Sequence, residues 1–516
     1  MIPVANTKQM RECDRVTIEE HGLSGVILME NASRAVVESA IDMLQNGVIL
    51  ARVIVICGKG NNGGDGFVVA RYLYNAGAEI SVYLLGETLK LTGDAKLNCQ
   101  LFQRLGGIVS DVKLETDLPP ADQFCELVVD GLLGTGFQGE PRGLYTAAIA
   151  RIKEIKAPVI AIDIPSGVDA NTGQTAGVSV KADRTVTFGL LKRGLMFSPG
   201  RELAGDVVVA DIGIPPQVVI DRKINCHLTE AEDVRRVIPQ RHPAMHKGDV
   251  GHVYLIAASP GMTGAATLSA QAVMRVGTGL TIVGVPASLN GIMELKLTEP
   301  MTQGLPETSD GFLGIDALPL IMKQIEWADV FAFGPGLGRH PETAQILTSI
   351  LKKIAIPMVI DADGLFMLSK ERKLLNNLPT GCILTPHAGE FIRLADIKLS
   401  DLNEDRARIA AEFAVIWKTI VVLKGAPTVT AAPDGSTYLN STGNPGMATG
   451  GSGDVLTGII AGLIAQGSDP LTAAWSGSYI MGKAGDRAAM DKGQHGLIAG
   501  DIVDNIAYAM REIIEA

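Results

Sequence analysis

The chain has 516 residues, about three times a typical ~150-residue domain, so it holds two large domains or three ordinary ones and is no single small module. It is 47% hydrophobic and 20% charged, with 59 Gly and 25 Pro against 12 Phe, 8 Tyr and 3 Trp, which fits a soluble α/β protein with glycine-built turns and excludes disorder or collagen-like structure. With 45 Lys+Arg against 56 Asp+Glu the formal charge is −11, the wrong sign for bulk binding of nucleic acid or an anionic membrane, so anionic small molecules require local sites.

Residues 1–45 read as helical. The β-branched run RVIVIC (52–57) ends in glycines, as a buried parallel strand does, and a helix follows over 67–77. Strands over 79–85, 127–133 and 158–164 alternate with helices near 94–105 and 143–154, predicting a doubly wound parallel sheet. TVTFG (185–189) and DVVVADIGIPP (206–216) close the first series. A polar stretch over 221–251 breaks the rhythm, which gives domains 1–220 and 227–516. A second series starts at HVYLIAA (252–258) and runs through LTIVGVP, DVFAFGPG, PMVIDADG, CILTPHAGE and TIVVLKG, with a hairpin over 428–440 turning at Asp434-Gly435. The halves share no repeated motif, so two unlike α/β domains are expected.

The six cysteines lie far apart with no CxxC pair, so neither a zinc site nor a disulfide framework is indicated, and a reducing cytoplasm fits. The first 22 residues are charged throughout and lack a signal peptide's apolar core, and the longest apolar stretches fall short of the ~20 residues that span a bilayer.

GKGNNGGDG (58–66) follows the first clear strand, and Gly58, Gly60 and Gly63 satisfy a dinucleotide fingerprint: glycines let backbone N–H groups approach a pyrophosphate at a helix N-terminus. An ordinary dehydrogenase is the first reading to weigh. Against it, the loop also carries Asn61, Asn62 and Asp65, and Glu87 is the only nearby candidate for a ribose acid. The later strands end in DGLLGTGFQGEPRG (130–143) and DIPSGVDANTG (163–173). In an open parallel sheet those ends line one crevice, where Asn62, Asp130 and Ser166 make a hard-oxygen cation site rather than a zinc site. Asp163, at a strand end, is either a general acid or base or a local cap.

The strings GKGNNGGDG, VDGLLGTG, AIDIPSGVDANTG and FGLLKRGL resemble the NAD(P)H-hydrate epimerase domain, over most of residues 1–220. The resemblance implies that Asn61, Asn62, Gly63, Gly64 and Asp65, the loop Gly134, Thr135, Gly136, Phe137, Gln138, Gly139 and Glu140, and Asp163 bind the hydrated dinucleotide. It also implies a potassium ion on Asn62, Asp130 and Ser166, with Lys192 as a candidate acid partner of Asp163.

In the second half, GNPGMATGGSGDVLTGIIAGLIAQG (443–467) packs glycines before an apolar helix and puts Asp454 in its first turn. Free N–H groups of Gly451, Ser452 and Gly453 would face an anion while Asp454 takes a proton from a hydroxyl being phosphorylated; the alternative is a capping Asp454. KGAPT (424–428) suits nucleotide phosphates or adenine, and no GxxxxGK[ST] loop occurs. His387 and Glu390 share another strand end, and His242 and His246 lack a third metal ligand.

PGMTGAA, GPGLG, DADGL, LTPHAGE, LKGAPT and the GSGD helix together resemble the ADP- or ATP-dependent NAD(P)H-hydrate dehydratase, a member of the ribokinase-like superfamily, over about 230–516. That implies Ala265, Gly336, His387 and Asp454 at the hydrated dinucleotide, and Lys424, Gly425, Ala426, Pro427, Thr428 and Gly453 at the adenine nucleotide. The implied chemistry is nicotinamide-nucleotide repair: the two epimers of hydrated NAD(P)H are interconverted, and the S form is dehydrated with ADP (or ATP) as cosubstrate, Mg²⁺ bridging phosphates, in a cytoplasmic homo-oligomer. The rivals are a ribokinase-like vitamin-alcohol kinase with a regulatory dinucleotide-binding domain, and a non-catalytic dinucleotide sensor.

Overall fold

The computed structural model describes residues 1–515, which form two compact units, Pro3–Ile224 and Met1–Ile2 with Asn225 onward. The N-terminal unit opens with a short strand, β1 (Ile2–Ala5), and two helices, Thr7–Glu19 and Gly25–Met43, where one helical stretch was expected. Asn6 ends the strand: its side chain accepts from the Gln9 N–H while the Gln9 side chain accepts from the Asn6 N–H, a reciprocal cap that starts the first helix at Thr7.

The strands β2 (Arg52–Cys57), β3 (Glu79–Leu85), β4 (Val109–Val112), β5 (Leu127–Gly131), β6 (Val159–Ile162), β7 (Arg184–Phe188) and β9 (Asp206–Ala210) form a seven-stranded sheet in the order β4-β3-β2-β5-β6-β7-β9. Every pair in it is parallel. The two-residue β8 (Leu191–Lys192) pairs instead with β1. This Rossmann-like sheet changes winding direction between β2 and β5, the point where an open α/β sheet leaves a crevice at its strand ends. Asp130, in β5, lies in register with Ile56 of β2 and Ala161 of β6, so a carboxylate sits at that point inside a fully buried strand.

The helix after β2 begins at Asn61, six residues before the sequence pattern places it. The glycine-rich string is therefore mostly helix rather than loop. A Cβ at Gly63 would run into the carbonyl oxygen of Gly58, so the first turn of this helix lies against the end of β2 only because residue 63 has no side chain.

The C-terminal unit carries β10 (Cys226–Thr229), β11 (His252–Ile256), β12 (Leu280–Pro286), β13 (Met301–Leu305), β14 (Val330–Phe333), β15 (Met358–Ile360), β16 (Cys382–Leu384), β17 (Ile420–Leu423), β18 (Val429–Ala431) and β19 (Thr437–Asn440). Their order is β13-β12-β11-β14-β15-β16-β17-β18-β19-β10. The strands from β13 to β17 pair in parallel, while β17, β18 and β19 run antiparallel through the hairpin, with Gly435 at positive φ in its turn. The helix Ser452–Ala465 is buried around nearly its whole circumference, because it packs against the helices Thr263–Arg275 and Pro470–Lys492 and against β14 and β15. That position explains an apolar sequence on all faces too short to span a bilayer. No helix among the described residues is long and apolar enough to cross a membrane.

All three tryptophans, Trp327, Trp417 and Trp475, belong to the C-terminal unit, so their fluorescence follows that unit alone. Gly63→Ala should destabilise the N-terminal unit by about 1–3 kcal/mol through overpacking. In urea titrations the far-UV circular dichroism transition should move to lower denaturant while the tryptophan fluorescence midpoint stays in place; coincident shifts would show the units unfolding together.

Candidate functional site

In the N-terminal unit, three strand ends meet around one carboxylate. Asp130 is fully buried; its Oδ1 accepts from the Ser166 hydroxyl at 2.6 Å and the Leu132 N–H at 3.2 Å, and its Oδ2 from the Ser166 N–H at 2.8 Å. Asn62 joins by donating its side-chain N–H to the Leu133 carbonyl at 3.1 Å, and the Leu133 N–H donates to Ser166 Oγ at 2.9 Å. Burial pushes the Asp130 carboxyl up to about 6 against the lowering effect of its hydrogen bonds. The donor set is a carboxylate, a hydroxyl, an amide and a backbone carbonyl, all hard oxygens suited to an alkali cation. No cluster of three or more His, Cys, Asp or Glu able to hold a metal occurs among the described residues.

Beside it lies a cavity of about 590 Å³, lined by Asn61, Asn62, Asp65, Gly134 to Phe137, Asp163 and Lys192 among others. Asp163 follows β6 with φ of 64°, a left-handed backbone uncommon for a residue with a side chain. Its Oδ1 accepts from Lys192 Nζ at 2.6 Å, the Thr187 hydroxyl at 3.1 Å and the Phe188 N–H at 3.2 Å. Lys192 is 1% exposed and also donates to the Phe188 carbonyl at 2.5 Å. Asp65, which accepts from Ser33 at 3.2 Å, is raised well above the usual carboxylate range, by burial first and by the nearby Asp163 charge second.

Not every residue singled out from the sequence lines this cavity. Gly63 and Gly64 are used in packing, Gly63 against Gly58 and Gly64 against Met29 and Ala95, while Gln138, Gly139 and Glu140 are exposed beyond its rim. Conversely Met10, Arg11, Asp14 and Ile18 of the helix Thr7–Glu19 line it and carry no sequence motif. Their signal is spacing: residues 10, 14 and 18 recur every four positions and so share one helical face.

In the C-terminal unit, Asp454 stands in the first turn of the helix Ser452–Ala465, after Gly451 at φ 95°. The first intrahelical bond runs from the Val455 N–H to the Gly451 carbonyl at 3.1 Å, so the N–H groups of Gly453 and Asp454 precede the hydrogen-bonded ladder. A Cβ at Gly453 would lie 3.0 Å from Lys424 Nζ, so the glycine lets the lysine approach the helix start. Lys424 Nζ binds Asp361 Oδ1 at 2.8 Å and lies 4.0 Å from Glu390, and Asp361 Oδ2 accepts from the Thr457 hydroxyl at 2.8 Å.

Burial alone would lower the Lys424 ammonium, but the Asp361 and Glu390 charges outweigh it and hold it above its ordinary value. Burial, reinforced by the Asp361 charge and opposed by Lys424, pushes the Asp454 carboxyl up to about 7. His387 caps the helix Ala388–Ala395, its Nδ1 accepting from the Gly389 N–H at 3.0 Å, which leaves Nε2 to carry the proton of the neutral ring. Burial, then the Lys424 charge, lowers its basicity.

Thus His387, Lys424, Gly453 and Asp454 are brought together around Asp361, which sequence reasoning quoted inside DADGL without giving it a role. Ala265 and Gly336 adjoin each other, a Cβ at Gly336 falling 3.0 Å from that of Ala265. Gly425, Ala426, Pro427 and Thr428 continue from Lys424 as a turn in which the Thr428 hydroxyl donates to the Gly425 carbonyl at 3.2 Å.

Residues 25–194 match the family model of the YjeF-related protein N-terminus, and residues 253–507 that of NAD(P)H-hydrate dehydratase. The bifunctional NAD(P)H-hydrate repair enzyme of Moorella thermoacetica is 44% identical over 98% of this chain and 96% of its own. That of Thermofilum pendens is 36% identical over 99% and 97%. A solved ribokinase-like superfamily protein from Enterococcus faecalis, 26% identical, covers 57% of this chain and 98% of its own with a TM-score of 0.51. With both halves matched and the relatives aligned nearly end to end, the chain belongs to the family of bifunctional NAD(P)H-hydrate repair enzymes.

Proposed function

We propose that the C-terminal unit dehydrates the S epimer of hydrated NADH or NADPH at the expense of ADP or ATP, and that the N-terminal unit interconverts the R and S epimers. The observation that carries the first activity is Asp454, near neutrality in its basicity, at a helix start whose leading N–H groups are free to face an anion. Hydroxide is a poor leaving group. Asp454 takes the proton from the hydroxyl next to the ring nitrogen as that oxygen attacks the terminal phosphoryl group, while the N–H groups of Gly453 and Asp454 and the Lys424 ammonium face its negative charge. The ring nitrogen lone pair then expels phosphate, and loss of a proton from the adjacent carbon restores the reduced ring. The Glu390 carboxylate is a hard-oxygen donor that would suit Mg²⁺ held mainly by the nucleotide, which would supply charge neutralisation for the phosphates.

In the N-terminal unit, Gly60, Asn61 and Asn62 line the cavity, and the first intrahelical bond runs from the Gly64 N–H to the Gly60 carbonyl, so the N–H groups before it lie outside the ladder, where the pyrophosphate is expected. Loss of the hydroxyl as water leaves a planar iminium, and water returning to either face yields either epimer. Asp163, fixed by Lys192, lines that cavity and stands as the anion opposite the developing cation. Asn62, Asp130, Ser166 and the Leu133 carbonyl would hold potassium, whose charge would offset the buried Asp130 carboxylate. A cytoplasmic, homo-oligomeric enzyme fits this reading, and all six cysteines are buried.

With a mixture of both NADH-hydrate epimers, Mg²⁺, potassium and either ADP or ATP, absorbance of reduced nicotinamide should recover beyond the S fraction and faster than spontaneous epimerisation. A stable phosphorylated product in place of NADH would instead indicate a kinase. Asp454→Asn should lower the dehydration rate by roughly 10²–10⁴-fold, and wild-type rate should rise with pH through about 7 as the carboxyl becomes a base. Stability moves the other way. With the folded pKa above the unfolded value near 4, the native state holds the proton more tightly, so stability is full below pH ~4 and falls as pH rises through about 7. Asp454→Asn removes that cost and should raise Tm at pH 8 by ~2–4 °C in calorimetry, with little change near pH 4.

A further inference from the structure

The epimerisation read from the N-terminal cavity needs a group that gives a proton to the departing hydroxyl and takes one back from the incoming water. Asp163 is engaged as a charge partner: its Oδ1 receives three donors, the Lys192 ammonium, the Thr187 hydroxyl and the Phe188 N–H, at 2.6 to 3.2 Å, which fixes its position in the cavity wall. Asp65 is tied to Ser33 and sits only 6% exposed in the first turn of its helix. Asp14 differs from both. It comes from the helix Thr7–Glu19, on the face where Met10, Asp14 and Ile18 recur every four residues, and this face lines the cavity. The other acids of that helix are used elsewhere: Glu12 and Glu19 bind Arg15 at 2.9 and 2.5 Å.

We propose that Asp14 is a catalytic residue of the epimerase reaction, the acid–base group that carries the proton between the hydroxyl leaving one face of the nicotinamide ring and the water arriving at the other. Protonated Asp14 donates to the C–OH oxygen as the C–O bond breaks, water departs, and the ring nitrogen lone pair forms the C=N bond of the iminium. Water then adds to the opposite face, the C=N electrons return to nitrogen, and the Asp14 carboxylate takes the proton that the new hydroxyl releases. Atoms and charge balance with no co-reactant. The groups around this site bring Asp14 into a range where its protonated and ionised forms are both accessible. Burial raises its carboxyl to about 6, Lys192 opposes the rise and the Asp163 charge adds to it, while Asp65, Cys13, Arg11, Asp94 and Tyr145 are further titratable or charged groups beside it or around the cavity. A carboxyl that titrates near physiological pH exchanges its proton in both directions without a large energetic penalty.

The proposal rests on the epimerase reading and is tested on the full chain with isolated R epimer of NADH hydrate, the wild type first. If wild-type enzyme does not convert the R epimer faster than buffer, the epimerase reading fails, and Asp14 with it, before any variant is used. If it does, Asp14→Asn should lower epimerisation kcat by roughly 10²-fold or more with KM changed little, and Asp14→Glu should restore part of it. The dehydratase rate on S epimer in the same samples normalises for folded enzyme. Wild-type epimerisation should fall as pH rises above the range where Asp14 holds its proton, and that fall should vanish in Asp14→Asn. A variant with wild-type kcat and an unchanged pH profile, or one altered only in KM, would overturn the proposal.

Discussion

Each unit sets a lysine ammonium against a buried aspartate at the carboxyl end of a parallel strand, and both sites depend on that pairing. Lys192 meets Asp163 at 2.6 Å after β6, and Lys424 meets Asp361 at 2.8 Å after β15. A lone charge in either place would be costly, and removing one partner of a buried pair typically costs ~3–5 kcal/mol because the other is left uncompensated. The pairs are completed by neutral donors, Thr187 and the Phe188 N–H on one side and Thr457 on the other, so the geometry is fixed as well as the charge. Two unrelated sheet orders thus arrive at the same local solution, because strand ends in a parallel sheet are where a polar side chain can be both held and reached.

The pairing has a consequence for the carboxyls that stand next to it. Asp454 and Asp14 lie within the field of a paired Lys–Asp dipole without being its partner, so burial and the nearby aspartate outweigh the lysine, and both are raised. Each site therefore holds one aspartate locked to a lysine and a second one whose carboxyl is raised. In the C-terminal unit the locked group, Asp361, also orients Lys424 toward the start of the helix bearing Asp454.

Sequence alone made much of this legible, and the failures have physical causes. The β-branched runs of the buried parallel strands and the hairpin at Asp434-Gly435 were readable because burial on both faces and a tight turn each leave compositional marks. The placement of Asn62, Asp130 and Ser166 at three strand ends followed from the topology of a doubly wound sheet. Asp14 was easily passed over because it sits among Glu12, Arg15 and Glu19; its only mark in the sequence is the four-residue spacing with Met10 and Ile18, and packing then shows that this face lines the cavity. Asp361 was hidden differently. DADGL offers two aspartates, and the register of β15 decides that Asp361 meets Lys424 whereas Asp363 accepts from the Gly338 N–H at 2.9 Å.

The glycine-rich string shows how one motif can serve a different chemistry from the one it first suggests. In a dehydrogenase the fingerprint holds a cofactor whose ring exchanges hydride with a second substrate. Here Gly63 admits the helix start against β2, Asn61 and Asn62 open onto the cavity, and the same cavity is closed by Asp163, Lys192 and Asp14. Carboxyls and an ammonium thus line the cavity, a chemistry that suits the proposed loss and return of water on the dinucleotide itself. A planar cation formed there has no memory of the face from which water left, so this cavity needs no phosphoryl donor to interconvert epimers. The C-terminal site, which must present one hydroxyl in line with a phosphoryl group, cannot share that indifference to configuration, and so the two reactions require two differently built pockets.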